Sequence, residues 1–288
     1  MWSANAKGAF LMSAGRIAFV TNDAFMKFLF TDLSVFQAMF LRGVLAVPLI
    51  TLIAFYQDSL FIRLGWRDFG LLILRGIAQI GMGSCFLLAL SNMPIANVAA
   101  IMQALPLSLV IVAALILGEI VGWKRWAAVV IGMCGVVMVI RPGTDDFTVY
   151  SLLAVAAVGF ATLNDAVTRY LPSRVPALFA ALFTATAVCV FSGGMCIGDV
   201  WPELSLVNWP VVMLCAITVA GGYLLQVMTM RQGELSFVAP FRYIGLVWAI
   251  LLGVVLFAEW PGIWTVSGSL IIVATGLYAF HVEQRHGS

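Results

Sequence analysis

The chain has 288 residues, of which 63% are hydrophobic and only 10% are charged, and its formal net charge is +2. A soluble domain typically carries about 25% charged residues, so polar groups cannot cover the surface of this chain and a lipid bilayer must surround most of it. Such a small net charge excludes the basic surface that nucleic acid binding requires.

Ten apolar segments follow one another along the chain, each about long enough to cross a bilayer. A transmembrane helix needs about 20 predominantly apolar residues. Short breaks rich in turn-forming or charged residues separate the segments, for example at Asn92-Met93-Pro94 and Arg141-Pro142-Gly143,. The sequence therefore predicts an all-α integral membrane protein with ten transmembrane helices. These predicted spans 1 to 10 cover residues 8–30, 33–56, 69–91, 95–117, 124–141, 148–168, 176–197, 208–231, 235–257 and 262–281.

Lysine and arginine are distributed unevenly between alternate breaks, and cytoplasmic loops usually carry the excess of these residues. If the N-terminus is cytoplasmic, the outer side receives only Lys27 and Arg141. We therefore predict a multi-pass protein of a bacterial inner membrane with both termini in the cytoplasm. The inner side then carries Lys7, Arg63, Arg67, Lys124, Arg125, Arg169, Arg174, Arg231 and Arg285, and the outer side carries the acidic residues Asp145, Asp146, Asp199 and Glu203.

The two halves of the chain resemble each other. Span 1 contains VTNDAFMKFL, starting at Val20, and span 6 contains TLNDAVTRYL, starting at Thr162. After spans 4 and 9, LILGEIVG aligns with VLFAEWPG, which pairs Glu119 with Glu259. The sequence thus predicts two five-helix repeats, at residues 1–143 and 144–288.

Each repeat has an odd number of spans, so the second repeat must be inverted relative to the first. Inverted repeats are a recurring plan of secondary transporters, in which the substrate binds near the midplane between the halves. A duplicated scaffold without a transport role is the alternative interpretation of the repeat.

At this level of detail the chain resembles a known family. The similarity is carried by NDAFMKF and FQAMFLRG in spans 1 and 2, by ALSNMPIANVAAIMQALP before Glu119, and by VAPFRYIGLVWAILLGVVLFAEWPG in the second half. These motifs, with the five-plus-five repeat, resemble the drug/metabolite transporter superfamily, EamA type. The resemblance implies a cavity lined by spans 3, 4, 8 and 9, with spans 1, 2, 6 and 7 outside it and spans 5 and 10 at the rear. It also implies export of small metabolites such as amino acids, apolar and aromatic ones included, or alternatively uptake of riboflavin or S-adenosylmethionine.

Ionisable residues within predicted spans are candidates for gating, because charges at bilayer depth usually face a cavity or each other. Asp23 and Lys27 are four residues apart on one helix face, and so are Asp165 and Arg169,. Each set is interpreted either as one of two symmetric gates or as an intrahelical ion pair. Glu119 and Glu259, at helix ends, are interpreted as loop-ordering groups or as carboxylates that couple transport to an ion.

Two further arginines, Arg42 and Arg242, lack charged counterparts in the other repeat. Each either faces a cavity or extends its long side chain to the membrane surface. Arg242 follows Pro240, which leaves a backbone carbonyl without its helical partner. An arginine at such a broken turn suits a substrate carboxylate.

The remaining polar and aromatic residues of spans 3, 4, 8 and 9 complete the predicted substrate site. A mostly apolar pocket with a few such groups fits a zwitterion with an apolar side chain, although ordinary helix packing would also account for any one of them. The predicted substrate-binding residues are Gln79, Phe86, Gln103, Tyr223, Gln226, Arg242, Tyr243 and Trp248.

Other functional classes find no support in the sequence. No nucleophile with its base, nucleotide-binding loop or metal-ligand spacing is present, which argues against an intramembrane enzyme or a primary pump. The five cysteines lie inside apolar segments and are interpreted as small core residues. No metal site and no cofactor is predicted, and the expected partners are a small-molecule substrate and membrane lipid, with the chain acting as a monomer.

Overall fold

A computed structural model describes residues 4–60, 62, 64–115, 118, 121–143, 147–203, 207–230 and 238–286. Over these ranges the chain forms eleven α-helices and one 3₁₀ turn, and it contains no strand. The α-helices are α1 Ala4–Leu29, α2 Val35–Tyr56, α3 Trp66–Asn92, α4 Ile95–Met102, α5 Leu105–Leu115, α6 Trp123–Ile140, α7 Val149–Arg169, α8 Ala177–Met195, α9 Trp209–Met230, α10 Ile244–Phe257 and α11 Ile263–His286. The 3₁₀ turn, Ala239–Tyr243, leads directly into α10.

Each predicted span corresponds to a helix or to an interrupted helix. Where the structure describes the end of a span, the predicted end differs from it by a few residues. In the described part of the chain, eight helical segments are long and apolar enough to cross a membrane, if α4 with α5 and the 3₁₀ turn with α10 are each counted as one segment. The last helix has a shorter apolar stretch at Ile263–Ala279. The first helix is not among the eight, because Arg16, Asn22 and Asp23 interrupt its apolar sequence. The multi-pass character is therefore confirmed, and the count of ten spans stays a prediction.

Spans 4 and 9 are interrupted helices. The first breaks at Gln103 and Ala104, and the chain resumes as α5 at Leu105, with Pro106 in its first turn. Pro240 lies in the 3₁₀ turn that replaces the first part of span 9. Proline lacks an N–H donor and fits at the start of a helical segment. Both interruptions therefore come at a proline, as the sequence indicates for Pro106.

Helices of the first half pack against helices of the second half, and two of these pairs are equivalent in the repeat. The most extensive contacts of α1 are with α9, and those of α3 are with α7. Between these pairs, α2 packs on α8, while α6 packs on α11. If each helix is replaced by its counterpart in the other repeat, α1 becomes α7 and α9 becomes α3, so the α1–α9 pair corresponds to the α3–α7 pair. The interface between the halves therefore includes two equivalent helix pairs, α1–α9 and α3–α7, together with the α2–α8 and α6–α11 contacts.

The bundle has two ends, which are named here by the ion pair found at each. At the Lys27 end, Lys27 contacts Glu259 at the end of α10. At the Arg174 end, Arg174 donates to the Asp68 carboxylate at the start of α3, with a distance of 2.6 Å between Nη2 and Oδ2. Because the second pair joins α3 to the loop between α7 and α8, each end has an ion pair that links the two halves.

Candidate functional site

A cavity of about 500 Å³ lies between the two halves of the bundle. Its lining includes residues from α1, α2 and α3 in the first half and from α7, α8 and α9 in the second, together with the interrupted helices. Apolar side chains make up much of the wall. The polar lining residues are Arg16, Asn22, Asp23, Arg42, Arg75, Gln79, Gln103, Asn164, Asp165, Thr168, Ser173, Tyr223, Gln226 and Arg242.

The cavity extends further towards one end of the bundle than the other. Its lining includes residues 171–173 in the loop between α7 and α8, next to Arg174. Towards the opposite end, the lining on α1 stops at Asp23, one helical turn before Lys27. The cavity therefore reaches the Arg174 end, whereas at the other end its lining includes Ile95, which lies next to Glu259, but neither Lys27 nor Glu259.

Six of the eight predicted substrate-binding residues line this cavity: Gln79, Phe86, Gln103, Tyr223, Gln226 and Arg242. The other two, Tyr243 and Trp248, are not part of the described lining. The Trp248 indole donates from Nε1 to Thr21 Oγ1 at 2.9 Å. The Tyr243 hydroxyl lies so close to Gly276 of α11 that no Cβ would fit there. The Trp248 hydrogen bond therefore links α10 to α1, and the Tyr243 side chain packs against α11.

The implied exclusion of spans 1, 2, 6 and 7 from the cavity is wrong. The α1 helix contributes Arg16 and Asp23, α2 contributes Arg42, and α7 contributes Asp165. Charged side chains at bilayer depth are unfavourable in contact with lipid. These three helices therefore turn the four charged residues inwards, α8 adds uncharged residues such as Ala181 and Val188, and the cavity is lined by more helices than the resemblance implies.

The expected ion pair between Asp23 and Lys27 does not form. Lys27 Nζ instead donates to Glu259 Oε1 and, at 2.7 Å, to the backbone oxygen of Met93. The second carboxylate oxygen of Glu259 accepts the Ile95 N–H at 2.9 Å, at the start of α4. Lys27 lies in the last turn of α1, where its side chain extends beyond the helix to acceptors on two other segments. The loop-ordering role predicted for Glu259 agrees with these bonds, whereas its repeat counterpart Glu119 lies outside the described residues.

Asp23 and Asp165 occupy equivalent positions in the two repeats, and both line the cavity. Each carboxylate accepts a hydrogen bond from the side chain of the preceding residue, Asn22 at 3.2 Å and Asn164 at 3.4 Å. The predicted pair of Asp165 with Arg169 is not seen, and Arg169 is exposed outside the lining. The two aspartates therefore face the cavity from opposite halves of the chain.

Arginine is the dominant charged residue of the cavity wall. Arg42 and Arg242 both line it, which agrees with the cavity-facing interpretation of each. Two further arginines, Arg16 and Arg75, line it as well, and the sequence interpretation missed both. Their spacing could have revealed them, because Arg16 precedes Asp23 by two helical turns and Arg75 precedes Gln79 by one.

The four arginines differ in their contacts. Arg75 donates from Nε to Thr168 Oγ1 at 2.9 Å and from Nη1 to the Ala180 backbone oxygen at 2.6 Å, with Thr184 Oγ1 at 3.2 Å. All these acceptors are uncharged. In the part of the chain that the structure describes, Arg16, Arg42 and Arg242 have no hydrogen-bond partner, and the Nε atom of Arg242 is fully buried. The cavity can therefore offer three guanidinium groups to a bound molecule.

Comparison with known proteins gives consistent matches over most of the chain. The sequence matches the EamA-like transporter family twice, over residues 6–141 and 148–279. An S-adenosylmethionine uptake transporter of Rickettsia felis is 25% identical over 283 residues, which cover 96% of this chain and 93% of that protein. A riboflavin transporter of Brucella anthropi is 26% identical over 73% of this chain and 76% of its own length. The pseudopaline exporter CntI of Pseudomonas aeruginosa is 22% identical over 92% of this chain and 93% of its own. A solved crystal structure has a similar fold, with a TM-score of 0.61 and 20% identity over 99% of this chain and 98% of that one.

Proposed function

Because the chain belongs to the EamA-like transporter family, we propose that it is a secondary carrier of small carboxylate-bearing metabolites, with amino acids as the first candidates. One observation carries this proposal. A cavity of about 500 Å³ at the interface of the two halves contains guanidinium, carboxylate, amide and phenol groups on otherwise apolar helices. Ligand sites of this size combine an apolar wall with a few polar groups that fix the orientation of the ligand.

Alternating access is the mechanism that we propose. The pairing of α1 with α9 and of α3 with α7 supports the inverted repeat that the sequence predicts. In such a carrier one half rocks against the other around a fixed site. The contact between Lys27 and Glu259 would close one end while the cavity reaches the other.

A second candidate, uptake of S-adenosylmethionine or riboflavin, is favoured by the relatives. The curated relatives include uptake transporters for the first compound, a transporter of the second, and an exporter of pseudopaline. We propose export as the native direction, and because alternating access is reversible, transport into liposomes measures the same activity.

The test is transport into liposomes that contain the purified protein. Labelled leucine, phenylalanine, glutamate, riboflavin and S-adenosylmethionine would be supplied separately, with protein-free liposomes as the control. We expect saturable uptake of at least one amino acid, competed by the same unlabelled compound. Saturable uptake of only riboflavin or S-adenosylmethionine would favour the second candidate, and uptake that never exceeds the protein-free control would contradict the carrier function.

A further inference from the structure

The charged groups of the cavity wall are unbalanced. Among the described lining residues, four arginines stand against two aspartates, a formal excess of two positive charges. Charges buried away from water are unfavourable unless an opposite charge compensates them. A cavity lined mainly by one sign of charge also concentrates ligands of the opposite sign. The wall therefore favours a ligand that carries more negative than positive charge.

Two of the arginines are neighbours, although they have the same charge. Arg16 on α1 lies within electrostatic range of Arg242 in the 3₁₀ turn, where α1 passes Gly245 at the start of α10, and it also lies within electrostatic range of Asp165 and Asp23. Neither guanidinium has a hydrogen-bond partner among the described residues, and Arg242 Nε is buried. Guanidinium groups bind carboxylate and phosphate oxygens through paired N–H donors. Arg16 and Arg242 together form an unpaired donor set suited to one acidic group.

The remaining two arginines extend the positive wall to other helices. Arg42 on α2 has no hydrogen-bond partner in the described ranges, although Asp23 lies within electrostatic range of it. Arg75 on α3 is held by Thr168, Thr184 and the Ala180 carbonyl, so no carboxylate neutralises it by direct contact. These positions offer a second place for an acidic group, on different helices from the first.

The two aspartates of the cavity wall favour a ligand that also carries a positively charged group. Asp23 and Asp165 face the cavity from opposite halves, and each accepts a hydrogen bond only from its neighbouring asparagine. A carboxylate accepts up to four hydrogen bonds, so each has capacity left for an ammonium group. Arg16 and Arg42 lie within electrostatic range of Asp23, and Arg16 and Arg75 lie within range of Asp165. Among the described residues, however, no arginine donates a hydrogen bond to either carboxylate, so an ammonium group of the ligand can still bind there.

From this arrangement we infer that the substrate of the proposed transport is an acidic amphoteric metabolite, with at least two acidic groups, an amine and a net negative charge. One acidic group binds between Arg16 and Arg242, the second binds towards Arg42 or Arg75, and the amine binds at Asp23 or Asp165. The inference rests on the proposed function for transport, and on the cavity alone for binding. Carboxylate and phosphate groups satisfy the arginines equally, so both are included in the test.

The test compares ligands of different net charge on the purified protein. Glutamate and O-phosphoserine supply two acidic groups and one amine, glutamine and leucine are neutral zwitterions, and S-adenosylmethionine carries a net positive charge. Binding is measured by thermal stabilisation in detergent, and transport is measured in liposomes. We expect saturable stabilisation and uptake with glutamate, O-phosphoserine or both, at concentrations at least about tenfold lower than for the neutral zwitterions.

Substitutions then assign the effect to the arginines. We expect Arg16→Gln and Arg242→Gln each to weaken binding of the acidic ligand by about tenfold or more, whereas Arg16→Lys and Arg242→Lys, which keep the charge, weaken it less. Arg67→Gln removes the same charge from an exposed position outside the cavity lining, and it should leave binding unchanged. If the glutamine variants fail to fold, the lysine variants still report the loss of paired donors.

The possible failures can be distinguished. Transport of neutral or cationic compounds alone, with no effect of the Arg16 and Arg242 variants, would overturn the inference and leave the carrier function standing. Binding of acidic compounds that depends on both arginines, without transport, would contradict the carrier and support the site. If none of the compounds stabilises the protein or is transported, both proposals are wrong.

Discussion

The contacts of Lys27 connect three segments that are far apart in the sequence. Its ammonium group binds the carboxylate of Glu259 and the carbonyl of Met93, while Glu259 also accepts the N–H of Ile95. The exposed fractions of the two charged side chains are only 13% and 22%, so water screens this contact much less than an exposed pair. One ion pair thereby joins α1 to the start of α4 and the end of α10.

Neutralising Glu259 should therefore loosen the Lys27 end. In a background without the five native cysteines, a cysteine at Val20 in the cavity wall is treated with a membrane-impermeant thiol reagent from the Lys27 side. We expect Glu259→Gln to speed the modification by roughly 5–30-fold, which corresponds to a shift of about 1–2 kcal/mol between conformations. The matched control is Asp32→Asn, because Asp32 is an exposed acid just beyond the end of α1. Equal modification rates in both variants would contradict a closing role for Glu259.

Sequence reasoning identified many of the polar residues that line the cavity, but not the pairing of the charges near it. The polar groups of spans 3, 4 and 8 stood out because each interrupts an apolar helix, and Gln79, Gln103 and Gln226 all line the cavity. The sequence predicts Asp23 as the ion-pair partner of Lys27, because spacing along one helix is the only geometry that a sequence provides. Its actual partner, Glu259, is 232 residues away in the sequence, and no local pattern encodes such a contact.

At the scale of helices, the last helix of each repeat, α6 or α11, packs closely against the other at a pair of glycines. The α6 helix contacts α11 where Gly135 faces Gly268, and each glycine lies against the backbone oxygen of the other. Small residues allow membrane helices to approach closely. The sequence predicted the positions of both helices well, because long apolar segments have few alternatives in a bilayer. It could not predict which helix faces which, since both are apolar on every side.

A methyl group at this crossing should push the helices apart. A Cβ at Gly268 would lie 2.6 Å from the backbone oxygen of Gly135, and backbone cannot move aside as a flexible side chain does. We expect Gly268→Ala to destabilise the protein by about 1–3 kcal/mol, measured as a lower melting temperature in detergent. Gly159→Ala is the matched control, because no atom lies within 4 Å of the added Cβ. The packing argument fails if the two variants melt at the same temperature.

For the whole molecule, the interface between the halves determines where the cavity lies. Four charged residues of α1, α2 and α7 face this interface rather than lipid, namely Arg16, Asp23, Arg42 and Asp165. Long apolar helices and a twofold repeat were evident in the sequence, and the family match covers both repeats. The orientation in the membrane rests on loop charge alone, and four of the charged loop residues that support it, Arg63, Asp145, Asp146 and Arg231, lie outside the described residues.

The orientation can be tested at exposed loop positions. If both termini are cytoplasmic, a cysteine at Glu203 should react with an impermeant reagent in intact cells, because that loop faces outwards. A cysteine at Lys124 should react only after the membrane is permeabilised. Both positions are exposed, so accessibility within the protein does not distinguish them. Labelling in the opposite order would reverse the assigned topology, and a cysteine-free protein provides the background.

The unpaired arginines also bear on how a transport cycle would run. A carrier that returns without cargo has to close over four guanidinium groups that only two carboxylates compensate, in surroundings of low polarity where uncompensated charge is costly,. The loaded return step would not meet this barrier if acidic cargo binds Arg16 and Arg242 as inferred above. We therefore expect the protein to work mainly as an exchanger. Unlabelled substrate on the far side should accelerate release of labelled substrate from preloaded liposomes, and this stimulation should weaken when both arginines are replaced by glutamine.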